Sequence, residues 1–360
     1  MRYAIVCSIL IWMWACSSDE EPGPNLNDIP YNPTSFELDI PEHFPEMVIP
    51  GNNPLTMEGI ELGRHLFFDP ILSSDNSLSC SSCHLPEGSF TDNLAFSPGV
   101  TGTLGRRSSM SLLNVGFNNN GLFWDGSVAT LEEQALLPVE DPIELHSSWT
   151  EVVGRLRKHN DYPIMFRKAF GVTDTAEIDR ILTVQAIAQF ERTLISSGNS
   201  KYDRVIAGLD VFTDEELLGH NIFFDIEPDV SRHAECGHCH NAPLFTTNEF
   251  FNNGIDNVDD QPPSDLGRAE LTGNMNDIGK FRVTSLRNIF KSAPYMHDGR
   301  FETLDQVIDH YDQMINFTRN VDPNLRVLNL SDQDRDALIA FIRTLEDEDF
   351  INNPRFQSPF

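Results

Sequence analysis

The chain has 360 residues, 40% of them hydrophobic, and 55 acidic side chains against 25 basic ones give a formal net charge of −30. That balance excludes a nucleic-acid binder and direct attraction to anionic lipid headgroups, while it permits steering of a basic partner protein. A chain of this length buries a core without staples, so its six cysteines do not read as a disulfide framework.

Residues 1–16 read as an export signal. Arg2 supplies the charge, Ala4 to Ala15 form an apolar run too short to span a bilayer, and Ala15 precedes Cys16. Cys16 followed by Ser17-Ser18-Asp19-Glu20-Glu21 resembles a bacterial lipoprotein processing site, although Trp14 is unusual so close to it. The expectation is lipidation at Cys16 and a periplasmic or cell-surface protein held to the membrane only by that anchor; the alternative is an ordinary secretory peptide. Residues 17–38 are polar, rich in Pro, Asn and acidic side chains, and read as a flexible tether.

Apart from Cys7 and Cys16, which belong to no mature fold, the cysteines fall in Cys80-Ser81-Ser82-Cys83-His84 and Cys236-Gly237-His238-Cys239-His240. Each is the pattern that attaches a haem c: two thiols for thioether bonds to the porphyrin and a histidine beside them to bind the iron. Zinc held by the two Cys-x-x-Cys pairs would need four thiolates brought together and leaves both adjoining histidines unexplained. The chain therefore reads as a dihaem protein.

More than the haem motif is duplicated. Leu62-Gly63 with Leu66-Phe67-Phe68-Asp69 precedes the first motif, and Leu218-Gly219 with Ile222-Phe223-Phe224-Asp225 precedes the second at the same distance. Trp124-Asp125-Gly126 with Thr130-Leu131 follows the first, and His297-Asp298-Gly299 with Thr303-Leu304 follows the second. Thr213 with Glu216 and Ser331 with Asp334 are capping boxes opening helices, and residues 176–194 are amphipathic. The predicted fold is mainly α, two tandem cytochrome-c-like haem domains whose haems face a shared interface. The first spans residues 39–200 and ends at the polar run Ser196 to Ser200; the second spans 201–348, and 349–360 form a C-terminal tail.

Aligning the halves on Asp-Gly-x-x-x-Thr-Leu places Tyr311 of the second half against Pro138 of the first. A tyrosinate oxygen is a possible axial ligand and a proline ring is not, so the second haem is expected to be six-coordinate through His240 and Tyr311 while the first keeps an open position opposite His84. Met296, His310 and Met314 are rival ligands, and a packed core tyrosine is the plain alternative. His65, His220, His233 and His238 read as structural or surface histidines.

These motifs, together with Phe123-Trp124-Asp125-Gly126, Glu133-Gln134-Ala135 and Ala293-Pro294-Tyr295-Met296-His297-Asp298-Gly299, resemble the bacterial dihaem cytochrome c peroxidase superfamily, which includes the MauG-type enzymes. The resemblance runs from about Ile49 to Leu345. It implies an oxidoreductase acting on hydrogen peroxide, with Trp124 as the aromatic relay between haems and Gln134, Pro138 and Glu144 as the peroxide pocket. Glu144 would take the proton from peroxide and return it to the departing oxygen. It also implies a calcium ion near the interface, on Ser108, Ser292 and Pro294.

Two departures point toward the MauG type. Many of these peroxidases carry a blocking histidine where this chain has Ser97-Pro98-Gly99-Val100, and they usually have methionine at the position of Tyr311. The leading expectation is a peroxidase that draws electrons from a small redox protein, a cytochrome c or cupredoxin, through the second haem. The second is a MauG-like oxidase modifying residues of a partner protein, and the third a non-catalytic electron carrier or haem sensor. A homodimer fits the superfamily, though no feature of the chain marks its interface.

Overall fold

The computed structural model describes residues 25–226, 234–260 and 263–360. The signal, Cys16 and His233 lie outside them. The architecture is helical, with one two-stranded antiparallel sheet in which Phe250 pairs with Arg282 and Phe251 with Phe281. Among the described residues no helix is long and apolar enough to cross a membrane.

Each half is organised by one close helix pair, and the glycine of each repeat explains the closeness. Thr56 caps the helix Met57–Phe68 by accepting from Gly59 N–H, and this helix packs on Arg180–Glu191. A Cβ on Gly63 would come within 1.9 Å of the Ala186 carbonyl oxygen. In the second half Asp214–Phe223 packs on Asp332–Arg343, and a Cβ on Gly219 would come equally close, 1.9 Å, to the Ala337 oxygen. Around these crossings Leu62, Leu66, Phe67 and Phe190 in one half, and Ile222, Phe223, Leu338 and Phe341 in the other, are buried. Each such side chain contributes roughly 1.5–3 kcal/mol by leaving water.

Charged clamps join the halves. The Arg107 guanidinium forks onto Asp265 (2.7 and 2.8 Å) and also donates to Asp125 at 2.6 Å. Burial alone would raise the Asp265 carboxyl, but the Arg107 contacts outweigh it and hold it down to about 2. Asp203, paired with Arg287 at 2.7 Å inside the second half, also lies 2.9 Å from the His43 Nε2 of the first. The polar run at the predicted junction is a structured knot: the Asp347 carboxylate accepts from the Ser196 hydroxyl and from the Ser197 amide and hydroxyl, at 2.6–2.7 Å.

Both chain ends pack more tightly than their composition suggests. From Asn25 onward the segment expected to be a tether is part of the fold, because Leu26 is buried in the first half's core and Arg167 donates to the Ile29 carbonyl. The last residues are likewise no loose tail: Phe350 and Phe356 return to the first half and pack in the cluster of Phe67, Phe90 and Phe190.

Candidate active site

The short helix Cys80–Cys83 opens after Ser79, whose N–H donates to the Ser82 hydroxyl, and His84 terminates it. The His84 Nδ1 lies 2.9 Å from the Phe90 carbonyl oxygen, a contact that assigns the proton to Nδ1 and leaves the Nε2 lone pair free. His240, ending the helix Cys236–Cys239, is arranged alike, with Nδ1 3.2 Å from the Phe245 oxygen and 3.1 Å from that of Thr284. Burial pushes the His240 pKa down to about 4, so the ring is neutral and able to ligate. Among the described residues none of the four motif cysteines is spent in a disulfide, and burial pushes Cys83 up to about 11 and Cys236 and Cys239 up to about 12.

Each motif opens onto its own cavity. The first, about 440 Å³, is lined by Cys80, Cys83 and His84 and also by Gln134, Pro138 and Glu144, so the fold gathers the expected peroxide-pocket residues into one place. The second, about 240 Å³, is lined by Cys236, Cys239, His240, Met296 and Tyr311. Trp124 is on the wall of both, and its indole N–H donates to the Ser108 carbonyl at 2.9 Å. An aromatic ring held rigidly between two cavities is well placed to pass an electron from one to the other.

Among the described residues no histidine besides His84 lines the first cavity. Ser97, Pro98 and Gly99 line it, and their loop is pinned, since Val100 N–H donates to the Glu144 carbonyl at 2.9 Å and a Cβ on Gly99 would strike the Ile143 carbonyl. Pro138 does more than withhold a ligand. It sits in the first turn of Leu137–Glu140, a separate turn from Leu131–Gln134, whereas the equivalent stretch of the second half is one continuous helix, Leu304–Gln313.

The rival ligands of the second site separate by position. Tyr311 and Met296 face the cavity. Met314, the helix C-cap, is exposed, and the His310 Nε2 lies 3.0 Å from the Asn253 carbonyl oxygen, so neither shares the cavity wall. His65 and His220 pack among helix and aromatic neighbours, and His238 is exposed beside Asn324. None of these three lines either cavity.

Glu144 faces the first cavity from the turn after Leu137–Glu140. Its side chain is exposed at the cavity wall, yet desolvation by the surrounding protein and the neighbouring Asp141 carboxylate push its pKa up to about 7. The carboxyl is thereby balanced between holding and taking a proton near neutrality. Glu191 was not singled out from the sequence. It is buried on the same cavity wall, burial pushes it up to about 8, and its Oε2 has no hydrogen-bond partner among the described residues. Burial thus favours its protonated form; in the sequence it stands beside Arg192 and close to Gln189, with nothing to set it apart.

Two mostly apolar cavities, each with a thiol pair and a neutral imidazole whose Nε2 is free, fit covalently attached haem c. They do not fit shared zinc, because the two thiol pairs line different cavities. Ser108, Ser292 and Pro294, the positions expected for calcium, do lie on one wall of the second cavity. Both serine hydroxyls donate to backbone carbonyls there, Ser108 to Met296 and Ser292 to Ile289.

Residues 57–210 match the family model described as di-haem cytochrome c peroxidase. The methylamine utilization protein MauG of Methylophilus methylotrophus is 32% identical over 300 residues, 82% of this chain and 85% of that protein. The cytochrome-c peroxidase IdrP1 of Pseudomonas sp. (strain SCT) is 33% identical over 329 residues, 84% of each. Among solved structures, a MauG-like protein associated with microbial copper homeostasis is 34% identical with a TM-score of 0.83, covering 90% of this chain and 99% of its own. With both haem sites built and these relatives matched along most of its length, the chain belongs to the dihaem cytochrome c peroxidase family, oxidoreductases acting on peroxide.

Proposed function

We propose that the chain is a dihaem oxidase of the MauG type, which uses peroxide to oxidise a partner protein. One contrast carries this reading: Tyr311 faces the cavity of His240, while the equivalent place in the cavity of His84 holds Pro138. Bound haem supplies the O–O cleavage and the storage of two oxidising equivalents. The chain's own residues do the rest. Glu144 accepts a proton from peroxide and returns it to the departing oxygen, so that two electrons and two protons in all yield two waters. Gln134 and Pro138 shape the space beside it. Tyr311, ahead of Met296, His310 and Met314, would hold the iron of the second haem, and its hard oxygen would lower that centre's potential relative to a thioether. A low potential makes the second haem a poor acceptor from ordinary cytochromes, so the electrons come through Trp124 from side chains of a docked protein.

Several other features support the same setting. Export and lipidation at Cys16 would put the enzyme in the periplasm or at the cell surface, with its partner among exported proteins. The MauG-like structure it resembles is associated with microbial copper homeostasis, which makes copper-handling proteins the first partners to try.

A second reading, a peroxidase fed by a small cytochrome c or cupredoxin, is favoured by the equal likeness to IdrP1. Stopped-flow mixing of the holoprotein with peroxide and then with reduced cytochrome c or cupredoxin separates the two. The MauG-type reading expects slow re-reduction by these donors; rapid multiple turnover would replace it with the peroxidase reading.

A further inference from the structure

The second cavity holds a residue that neither the motif pattern nor the contrast between Tyr311 and Pro138 includes. Asn253 follows the strand Phe250–Phe251 and is fixed from three directions. Its backbone carbonyl oxygen lies 3.0 Å from His310 Nε2, on the helix that carries Tyr311. The next carbonyl, of Gly254, accepts from the Asn316 amide and side chain at 2.8 and 2.9 Å, just beyond the end of that helix. The side-chain oxygen of Asn253 accepts from Ile255 N–H at 3.3 Å, which assigns the amide orientation and turns the NH₂ group toward the cavity. There Nδ2 donates to the Tyr311 hydroxyl oxygen at 3.2 Å, and the same nitrogen is 3.5 Å from the Met296 sulfur. Asn253, Tyr311, Met296 and His240 all line the one cavity.

We propose that Asn253 is the positioning residue of the second haem site, setting its reduction potential through the hydrogen bond to the Tyr311 oxygen while its other N–H holds the Met296 sulfur aside. The proposal rests on Tyr311 being the axial ligand. A donor aimed at a ligating phenolate withdraws charge from the oxygen and weakens its donation to ferric iron, which raises the potential above that of the same ligand unassisted. An amide with two N–H groups meets two acceptors at once, and a sulfur engaged by one of them has a lone pair less free for the metal. Latches on both sides of the helix keep the geometry from relaxing.

The test uses holoprotein carrying Met296→Leu alone and Met296→Leu combined with Asn253→Leu, so that the rival sulfur is absent throughout. Resonance Raman of the ferric protein reads the tyrosinate–iron modes, and a potentiometric titration reads the second haem, with the first haem's spectrum as internal control. Met296→Leu alone is expected to keep the tyrosinate modes. Adding Asn253→Leu is expected to shift them and to move the second haem's potential downward. Asn253→Ser, which loses the reach without adding bulk, should act in the same direction. Tyrosinate modes and potential unchanged by either Asn253 substitution would overturn the role of Asn253 while leaving Tyr311 as ligand. Tyrosinate modes missing from Met296→Leu itself would instead remove the ligand assignment, and this proposal with it.

Discussion

The two halves of this chain carry the same skeleton and finish it differently. Both use a glycine to seat one helix against a carbonyl of another, Gly63 on Ala186 and Gly219 on Ala337. Both tie a histidine Nδ1 to a carbonyl, and both close a short bridge just before the capping threonine, Leu122 with Val128 and Tyr295 with Phe301. They part after the capping threonine. The second half continues as one helix and presents Tyr311; the first breaks after Gln134, ahead of Pro138, and adds Glu144 to its cavity wall. Duplication thus supplied two equal frames, and the differences after the capping threonine put Pro138 and Glu144 on the wall of one cavity and Tyr311 on that of the other.

The strongest way to break that contrast is to erase it. Pro138→Tyr should give the first haem a sixth ligand, and the expected outcome is loss of its high-spin signal and of its reaction with peroxide, read by optical titration. Removing the acid/base is next in size. Glu144→Gln is expected to slow the reaction with peroxide by about 10²–10⁴-fold in stopped flow. A base works only when ionised, so with its pKa near about 7 the wild-type rate should rise with pH through that region, and the variant should lose the rise.

Two further substitutions sharpen the comparison through stability. Phe350→Ala should cost about 3–5 kcal/mol, since Phe350 is 1% exposed and fills the first half's core from the chain's far end. Its signature in a denaturant melt followed by haem absorbance should be earlier loss of the first haem's environment than of the second's. Gly63→Ala and Gly219→Ala should each cost about 1–3 kcal/mol, because a backbone carbonyl must move to admit the methyl group. Equal costs at the two sites would support equivalent frames.

The sequence showed those parts of the molecule that are local and repeated. Cys-x-x-Cys-His is contiguous, the capping boxes span four residues, and the contrast of Tyr311 with Pro138 came from aligning one half on the other. What it concealed depends on distant contacts. Leu26 sits in a polar stretch without periodicity, and Phe350 and Phe356 lie beyond the last amphipathic helix, so burial of these three has no local signal. Asn253 looks like one more polar loop residue until the fold brings it to Tyr311, 58 positions away. The Glu191 carboxyl falls on the buried end of its helix, and only the fold shows that it lines the cavity of His84.

The central claim, one open iron and one closed by Tyr311, is tested most directly by low-temperature EPR of the ferric holoprotein before and after one equivalent of peroxide. The account predicts one high-spin and one low-spin haem, with the high-spin signal lost on adding peroxide. Two low-spin haems indifferent to peroxide would contradict it, since the position beside Pro138 and Glu144 would then already be filled.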